Sequence, residues 1–101
     1  MIYDLIIVGG GVAGLGAAVY AARYELNVLV VAGDFGGLLQ QTHVVENYIG
    51  FQTIDAMELT KKIIDHAKSY KKVTMKETMV KDIRKLKNSV KVKTTKGEYE
   101  G

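Results

Sequence analysis

The 101-residue sequence contains no cysteine, no proline and no tryptophan. Without cysteine it can form neither a disulfide framework nor a thiolate metal site, and it has no cysteine redox pair of its own. The lack of cysteine also suits a reducing compartment, and we expect a cytoplasmic protein. With 48% hydrophobic and 25% charged residues, the composition is that of one globular domain.

Acidic residues are scarce in the second half of the chain. Residues 1–60 hold one base and six acids, a net charge of −5, whereas residues 61–101 hold thirteen bases and five acids, a net charge of +8. Twelve of those thirteen bases are scattered lysines, without the aromatic or arginine-rich patch that is typical of a nucleic-acid interface. We interpret them as a solvated surface and expect no nucleic-acid partner.

The longest run of uncharged residues, 5–22, has eighteen residues, the length at which a membrane span must be considered. Asp4 precedes the run where a signal peptide would have a basic segment. The glycines of the run stand between a β-branched segment and an alanine-rich segment, which is the pattern of a strand, a turn and a helix. We therefore expect no membrane segment.

The hydrophobic pattern predicts an α/β fold, in which a Rossmann-like β-α-β parallel sheet carries an appended antiparallel β-meander. Strands buried on both faces are predicted where β-branched residues follow one another without alternation. The predicted parallel strands are 3–8, 27–32 and 73–75. The predicted helices are 12–24 and 55–70, and a capping box is expected at Asp55 and Glu58. The predicted antiparallel strands are 79–86, 90–95 and one beginning at residue 98, and 33–54 is predicted to be a loop region.

Three glycines, Gly9, Gly11 and Gly14, have the spacing of a dinucleotide-binding turn. They follow the first predicted strand and open the first predicted helix, which is the context that this fingerprint requires. Gly9 is expected to permit the tight turn, Gly11 to let the backbone approach a pyrophosphate, and Gly14 to let helix and strand pack closely. The free N–H groups at the start of the helix would face the phosphates.

The acid that would bind the adenosine ribose is missing from its usual place at the end of the second strand. Ala32 occupies that position, and Asp34, two residues later, is a candidate ribose ligand or an exposed loop acid. Without that acid, the fingerprint by itself leaves both FAD and NAD(P) open as the cofactor.

Two stretches of the sequence, YDLIIVGGGVAGLGAAVYAARYELNVLVV and GDFGGLLQQTHVVENYIGF, carry a family resemblance. They resemble the thioredoxin-reductase-like flavoproteins of the FAD/NAD(P)H pyridine nucleotide-disulfide oxidoreductases, and the VENY-x-G segment is the specific part. The resemblance runs from Tyr3 to the end of the chain. It implies FAD as the bound cofactor, with NAD(P)H as the electron donor of a full-length member.

The resemblance also implies positions for the cofactor. The pyrophosphate would lie at Gly9, Gly11, Val12 and Ala13, with Gly14 among the cofactor-binding residues of the turn. The adenosine would lie along Ala32, Gly33 and Asp34. The ribityl chain and the flavin would lie near Gly37, Leu38, Leu39 and Gln40. Asn47 would form a hydrogen bond to the cofactor, and the backbone near Val80 would contact the adenine.

The sequence departs from the family pattern at three of these places. Val12 and Ile49 stand where the family usually has proline, and Leu38 stands where it has glutamine. We expect these departures to weaken flavin binding without abolishing it. No catalytic or metal-binding residue is predicted, and His43 and His66 are interpreted as polar surface.

The function implied is that of the FAD-binding portion of an oxidoreductase that passes hydride from NAD(P)H through flavin to a disulfide or another acceptor. We expect residues 1–101 to form the N-terminal part of one FAD-binding domain, with the nicotinamide domain absent or separate, and to be homo-oligomeric. We do not expect this chain alone to turn over. Two alternatives stay open: a stand-alone nucleotide-binding or interaction module with an exposed sheet edge, and a non-catalytic remnant of such a domain.

Overall fold

The protein, represented here by a computed structural model that describes residues 1–37 and 43–101, folds into a parallel sheet, two helices and an antiparallel meander. Its helices are α1 (Val12–Arg23) and α2 (Ala56–Lys68). Its strands are β1 (Leu5–Val8), β2 (Val28–Ala32), β3 (Val44–Val45), β4 (Ile54–Asp55), β5 (Val73–Glu77), β6 (Val80–Lys85), β7 (Val90–Thr94) and β8 (Gly97–Glu100). The predicted α/β fold with its appended meander is confirmed.

The parallel sheet has the strand order β1-β2-β5, so β2 is its central strand. All five residues of β2 are buried, as the unbroken apolar sequence predicts. On one side of β2, Val28 and Val30 pack against Ala18 and Ala21 of α1. The small side chains of α1 therefore let the helix lie close to the sheet.

The prediction that the first strand is buried on both faces is wrong. Strand β1 begins at Leu5, lies at the edge of the sheet, and leaves Leu5 37% and Val8 52% exposed. A continuous apolar run is typical of a strand with two covered faces, but the same run also occurs in an edge strand. Whether such a run becomes a covered strand or an edge strand depends on which strands pair beside it.

The region 33–54, predicted to be a loop, contains two short strands within its described part. β3 and β4 pair antiparallel through Val44 with Asp55 and Val45 with Ile54. Val45 and Ile54 are buried in a second core cluster with Ala56 and Leu59 of α2. The strand pair thus fixes the start of α2.

Helix α2 begins one residue after Asp55 and ends at Lys68, close to the predicted limits. Of the predicted capping box, the structure shows the Asp55 carboxylate Oδ2 accepting a hydrogen bond of 3.2 Å from the Glu58 backbone N–H. Neither helix in the described part of the chain is long and apolar enough to cross a membrane.

The meander β6-β7-β8 is joined to the parallel sheet through Thr78, which follows β5 directly. The backbone N–H of Thr78 donates to the Ala32 carbonyl at 2.8 Å, and its buried hydroxyl lies 3.0 Å from the hydroxyl of Thr95. Thr95 in turn donates its backbone N–H to the Met79 carbonyl at 2.9 Å. These bonds hold the first strand of the meander beside the carboxyl end of β2.

Candidate functional site

The turn between β1 and α1 depends on glycine at two positions for different reasons. Gly9 has φ of +123°, a conformation that side chains rarely tolerate. A Cβ on Gly14 would overlap the carbonyl oxygen of Gly9 and lie 3.4 Å from Ile7 Cγ2. The predicted roles of Gly9 in the turn and of Gly14 in close helix–strand packing therefore agree with the geometry.

Gly11, unlike Gly14, has open space at the position where a side chain would begin. A Cβ on Gly11 would meet only the Cα of Gly37, at 3.9 Å. The backbone of Gly11 is extended, with φ of −80° and ψ of −171°, so alanine would fit its conformation. The fold itself does not require glycine here, and the free space is available to a ligand.

A second glycine loop, after β2, packs against this turn. Gly36 donates its N–H to the Gly10 carbonyl at 2.8 Å, and a Cβ on Gly37 would lie 3.1 Å from the Cα of Gly11. Gly10 is buried, and a Cβ there would lie 2.5 Å from Phe35 Cδ1. Two backbone segments that lack side chains thus form one continuous wall.

The first turn of α1 follows this wall directly and contains backbone donors that precede the first intrahelical hydrogen bond. The helix begins after Gly11 without a side-chain cap and without an acidic residue in its first turn. Its first intrahelical hydrogen bond runs from Leu15 N–H to the Gly11 carbonyl, at 3.0 Å. The N–H groups of Val12 and Ala13 precede that bond, so they are the kind of donors that bind an anionic group.

The two glycine loops, the carboxyl ends of β1 and β2, and the residues after β5 enclose a pocket of about 310 Å³. Ligands of open parallel sheets bind at this end of the strands. The structure brings together seven of the predicted cofactor-binding residues in its wall: Gly9, Gly11, Ala32, Gly33, Asp34, Gly37 and Val80. The pocket is lined by glycine backbone on one side and by the start of the meander on the other.

Other predicted site residues lie elsewhere. Val12 lines a separate groove between α1 and α2 that also includes His66. Ala13 is exposed, and Gly14 is packed on the β1 side of α1. Asn47 is exposed in the segment between β3 and β4 and does not line the pocket. Leu38, Leu39 and Gln40 lie outside the described residues.

Five residues in the pocket wall were not predicted as site residues from the sequence: Val8, Gly10, Val31, Thr78 and Met79. The fingerprint assigns roles to alternate glycines, so nothing in its spacing marks Gly10. Thr78 and Met79 follow a strand that parallels β2, and their position after β5 was the available signal. Asp34 lines the same pocket, two residues beyond Ala32 in the sequence.

Neither histidine lines this pocket. His43 is exposed, and the ring of His66 stacks on Tyr70 with centroids 5.9 Å apart. Among residues 1–37 and 43–101, no group of three His, Cys, Asp or Glu side chains is arranged to hold a metal ion.

Comparison with known proteins identifies the family. A family model described as pyridine nucleotide-disulphide oxidoreductase matches residues 3–100. The chain belongs to this family. The resemblance inferred from the glycine turn and the VENY-x-G segment is thereby confirmed, and membership implies a flavin in the complete proteins.

Individual relatives are thioredoxin reductases. The chain is 39% identical over 82 residues to the thioredoxin reductase of Mycoplasma genitalium, covering 80% of this chain and 26% of that protein. It is 47% identical over 70 residues to the thioredoxin reductase of Bacillus subtilis, covering 68% of this chain and 22% of that protein. The crystal structure of T. acidophilum thioredoxin reductase superposes with a TM-score of 0.92 and 37% identity, over 98% of this chain and 33% of the other. The chain therefore spans between a fifth and a third of the length of these relatives.

The residues present fit the pyrophosphate and adenosine portion of a flavin dinucleotide. The space at Gly11 is open to a ligand, and the Gly11 N-cap supplies no side chain to the donors of Val12 and Ala13. The described part of the wall supplies the nucleotide end of a site. The predicted ribityl and flavin contacts at residues 38–40 fall outside it.

Proposed function

We propose that this chain is the FAD-binding portion of a thioredoxin-reductase-like oxidoreductase. The observation that carries the proposal is the pocket in which the glycine loops after β1 and β2 meet at the carboxyl ends of the parallel strands, next to the residue that precedes α1. The bound flavin would accept hydride from NAD(P)H and pass the electrons to a disulfide or another acceptor. The protein's own part, within these residues, is to bind and orient the dinucleotide.

Each end of the pocket has a separate task in this proposal. The backbone N–H groups of Val12 and Ala13 would hold the pyrophosphate, because they precede the first intrahelical hydrogen bond and lie at the positive end of the helix dipole. The Asp34 carboxylate would accept a hydrogen bond from a ribose hydroxyl, replacing the acid that is absent at Ala32. The backbone of Val80 would contact the adenine.

Complete turnover would need parts that the relatives contain beyond the matched quarter to third of their length. We propose that a nicotinamide-binding segment, whether in the same polypeptide or a separate one, supplies the NAD(P)H site. Homo-oligomerisation and a cytoplasmic location are part of the same proposal, the latter because the sequence lacks cysteine.

The experiment that tests the proposal is titration of the purified chain with FAD, followed by visible absorption and gel filtration. We expect flavin bands that stay with the protein. A colourless protein that binds ADP but not FAD would instead indicate a stand-alone nucleotide module. Failure to bind either nucleotide would identify a non-catalytic remnant.

A variant at Gly11 separates binding from folding. Gly11→Ala should leave the melting temperature unchanged, because its Cβ meets only Gly37 Cα at 3.9 Å. It should weaken FAD binding by about tenfold or more, since the methyl group enters the space of the pyrophosphate. Gly16→Ala is the matched control in α1, because a Cβ there meets nothing within 4 Å; it should bind FAD as the unaltered chain does.

A further inference from the structure

The side chain of Met79 lies across the backbone of Gly33 in the wall of the pocket. A Cβ on Gly33 would overlap Met79 Sδ and lie 3.7 Å from both Cγ and Cε of the same methionine. Glycine at position 33 therefore makes room for the thioether. Met79 is nevertheless 59% exposed, so its outer surface faces the pocket and solvent rather than the core.

The backbone of Met79 is held by two hydrogen bonds to Thr95. Its N–H donates to Thr95 Oγ1 at 3.3 Å, and its carbonyl accepts from Thr95 N–H at 2.9 Å. Thr95 is itself tied to the buried Thr78 hydroxyl at 3.0 Å. A flexible apolar side chain thus projects from a fixed point on the pocket wall.

The neighbouring backbone of Val80 is oriented toward the open side of the meander. Val80 pairs with Thr94, and the hydrogen bond from Thr95 N–H to the Met79 carbonyl makes this a non-hydrogen-bonded pair of an antiparallel ladder. The N–H and carbonyl of Val80 therefore point away from β7. They offer one donor and one acceptor beside the methionine.

The strand order places Met79 and the backbone of Val80 at one end of the site. β2 lies between β1 and β5, so Met79, after β5, is separated by the width of β2 from the glycine turn after β1. A dinucleotide whose phosphates bind at the glycine turn would extend its nucleoside across the end of β2 toward Met79. A polarizable thioether packs favourably on an aromatic ring, and an adenine ring is flat and aromatic.

We infer that Met79, seated on Gly33, packs against the adenine ring and makes the site select adenine dinucleotides over flavin mononucleotide. This inference rests on the proposed function and deepens it. FAD and ADP contain the adenine that Met79 would contact, whereas FMN lacks it. In this arrangement the thioether of Met79 contacts the face of the adenine ring, and the backbone of Val80 faces the edge of that ring.

Methionine oxidation provides a direct test on the unaltered chain. Met79 and Met57 have nearly equal exposure, 59% and 57%, and Met57 lies on α2 outside the pocket. The chain would be treated with dilute hydrogen peroxide alone or with saturating FAD, ADP or FMN, and sulfoxide at each methionine would be followed by peptide mass spectrometry. FAD and ADP should slow the oxidation of Met79 severalfold and leave Met57 unchanged, and FMN should protect neither.

Two substitutions test the consequence for affinity. Met79→Ala should weaken the binding of both FAD and ADP by about tenfold, and Met79→Leu should recover most of the FAD affinity because it restores apolar contact. Met57→Ala is the matched control and should bind both ligands as the unaltered chain does. The exposure of Met79 makes a folding defect unexpected, and circular dichroism would verify this for each variant.

The outcomes separate this inference from the proposed function. FAD binding that neither protects Met79 nor responds to Met79→Ala would overturn the inference and leave the proposed function standing. ADP binding with protection of Met79, in a chain that does not bind FAD, would support the inference and overturn the proposed function. Absence of binding by both nucleotides would overturn both.

Discussion

The carbonyl oxygen of Gly9 occupies the place where a side chain on Gly14 would begin. The first residue of the fingerprint thus determines the identity of the last, through a contact within the protein and without reference to any ligand. Gly11, between them, has open space instead. The three glycines therefore separate into two that the fold requires and one that a ligand would require.

Gly14→Ala should destabilise the fold. Its Cβ would meet backbone atoms, which cannot move aside as a flexible side chain can, and overpacking of this kind costs about 1–3 kcal/mol. That cost exceeds the gain of about 1 kcal/mol that alanine brings to a helix interior. Urea unfolding would measure the change. Gly16→Ala, where a Cβ meets nothing within 4 Å, should be stabilising by about 0.5–1 kcal/mol, and equal stability of the two variants would contradict the argument.

Asp55→Ala should destabilise the chain by about 1 kcal/mol, because it removes the side chain that accepts the Glu58 N–H at the start of α2. Asp65→Ala, on the same helix, removes an exposed ion pair with Lys61 at 3.1 Å and should cost no more than about 0.5 kcal/mol. Thermal unfolding of the two variants side by side would check the difference. An unchanged stability of Asp55→Ala would show that the cap does not stabilise α2.

Thr78→Val should cost about 1 kcal/mol in the free energy of unfolding, because it removes a buried hydroxyl that is paired with Thr95 at 3.0 Å. Thr78→Ser keeps the hydroxyl and is the control for the hydrogen bond. If Thr78→Ser loses stability and Thr78→Val does not, methyl packing and not the hydroxyl pair stabilises this site. Denaturant titration followed by circular dichroism gives the comparison.

Amide exchange should distinguish the edge strand from the central strand. Asn27 O accepts from Leu5 N–H and Val31 O accepts from Gly9 N–H, so alternate residues of β1 face β2 and the N–H groups of Ile6 and Val8 point to the open edge. Hydrogen–deuterium exchange by NMR should be orders of magnitude faster at Ile6 and Val8 than at Leu29 and Val30. Equal protection would mean that another element covers this edge in solution.

The parts of the fold that depend on local sequence were predictable. The glycine turn, the buried strand β2 and the cap at Asp55 each follow from residues within a few positions of one another. The exposure of β1 was predicted wrongly because strand periodicity carries no information about which strands pair alongside. The short strands β3 and β4 were missed because two residues give no period at all.

The candidate site also has one part that local sequence predicts and one part that depends on strand pairing. The half formed by Gly9, Gly11 and the start of α1 was visible in the spacing of the glycines. The contact between Gly33 and Met79 joins residues 46 positions apart in the sequence, and only the pairing of β5 with β2 brings them together. No spacing rule could have indicated it, because the contact is a consequence of strand order.

The bridge between Ile2 and Glu100 sets an order in time as well as in space. The two residues are paired in parallel, and Tyr3 N–H donates to the Glu100 carbonyl at 2.8 Å. Because β8 closes onto the residues that precede β1, a chain emerging from the ribosome cannot complete this contact until residue 100 is free. The contact joins residues 98 positions apart in the sequence, and contacts of such long sequence separation are typical of slow folding steps.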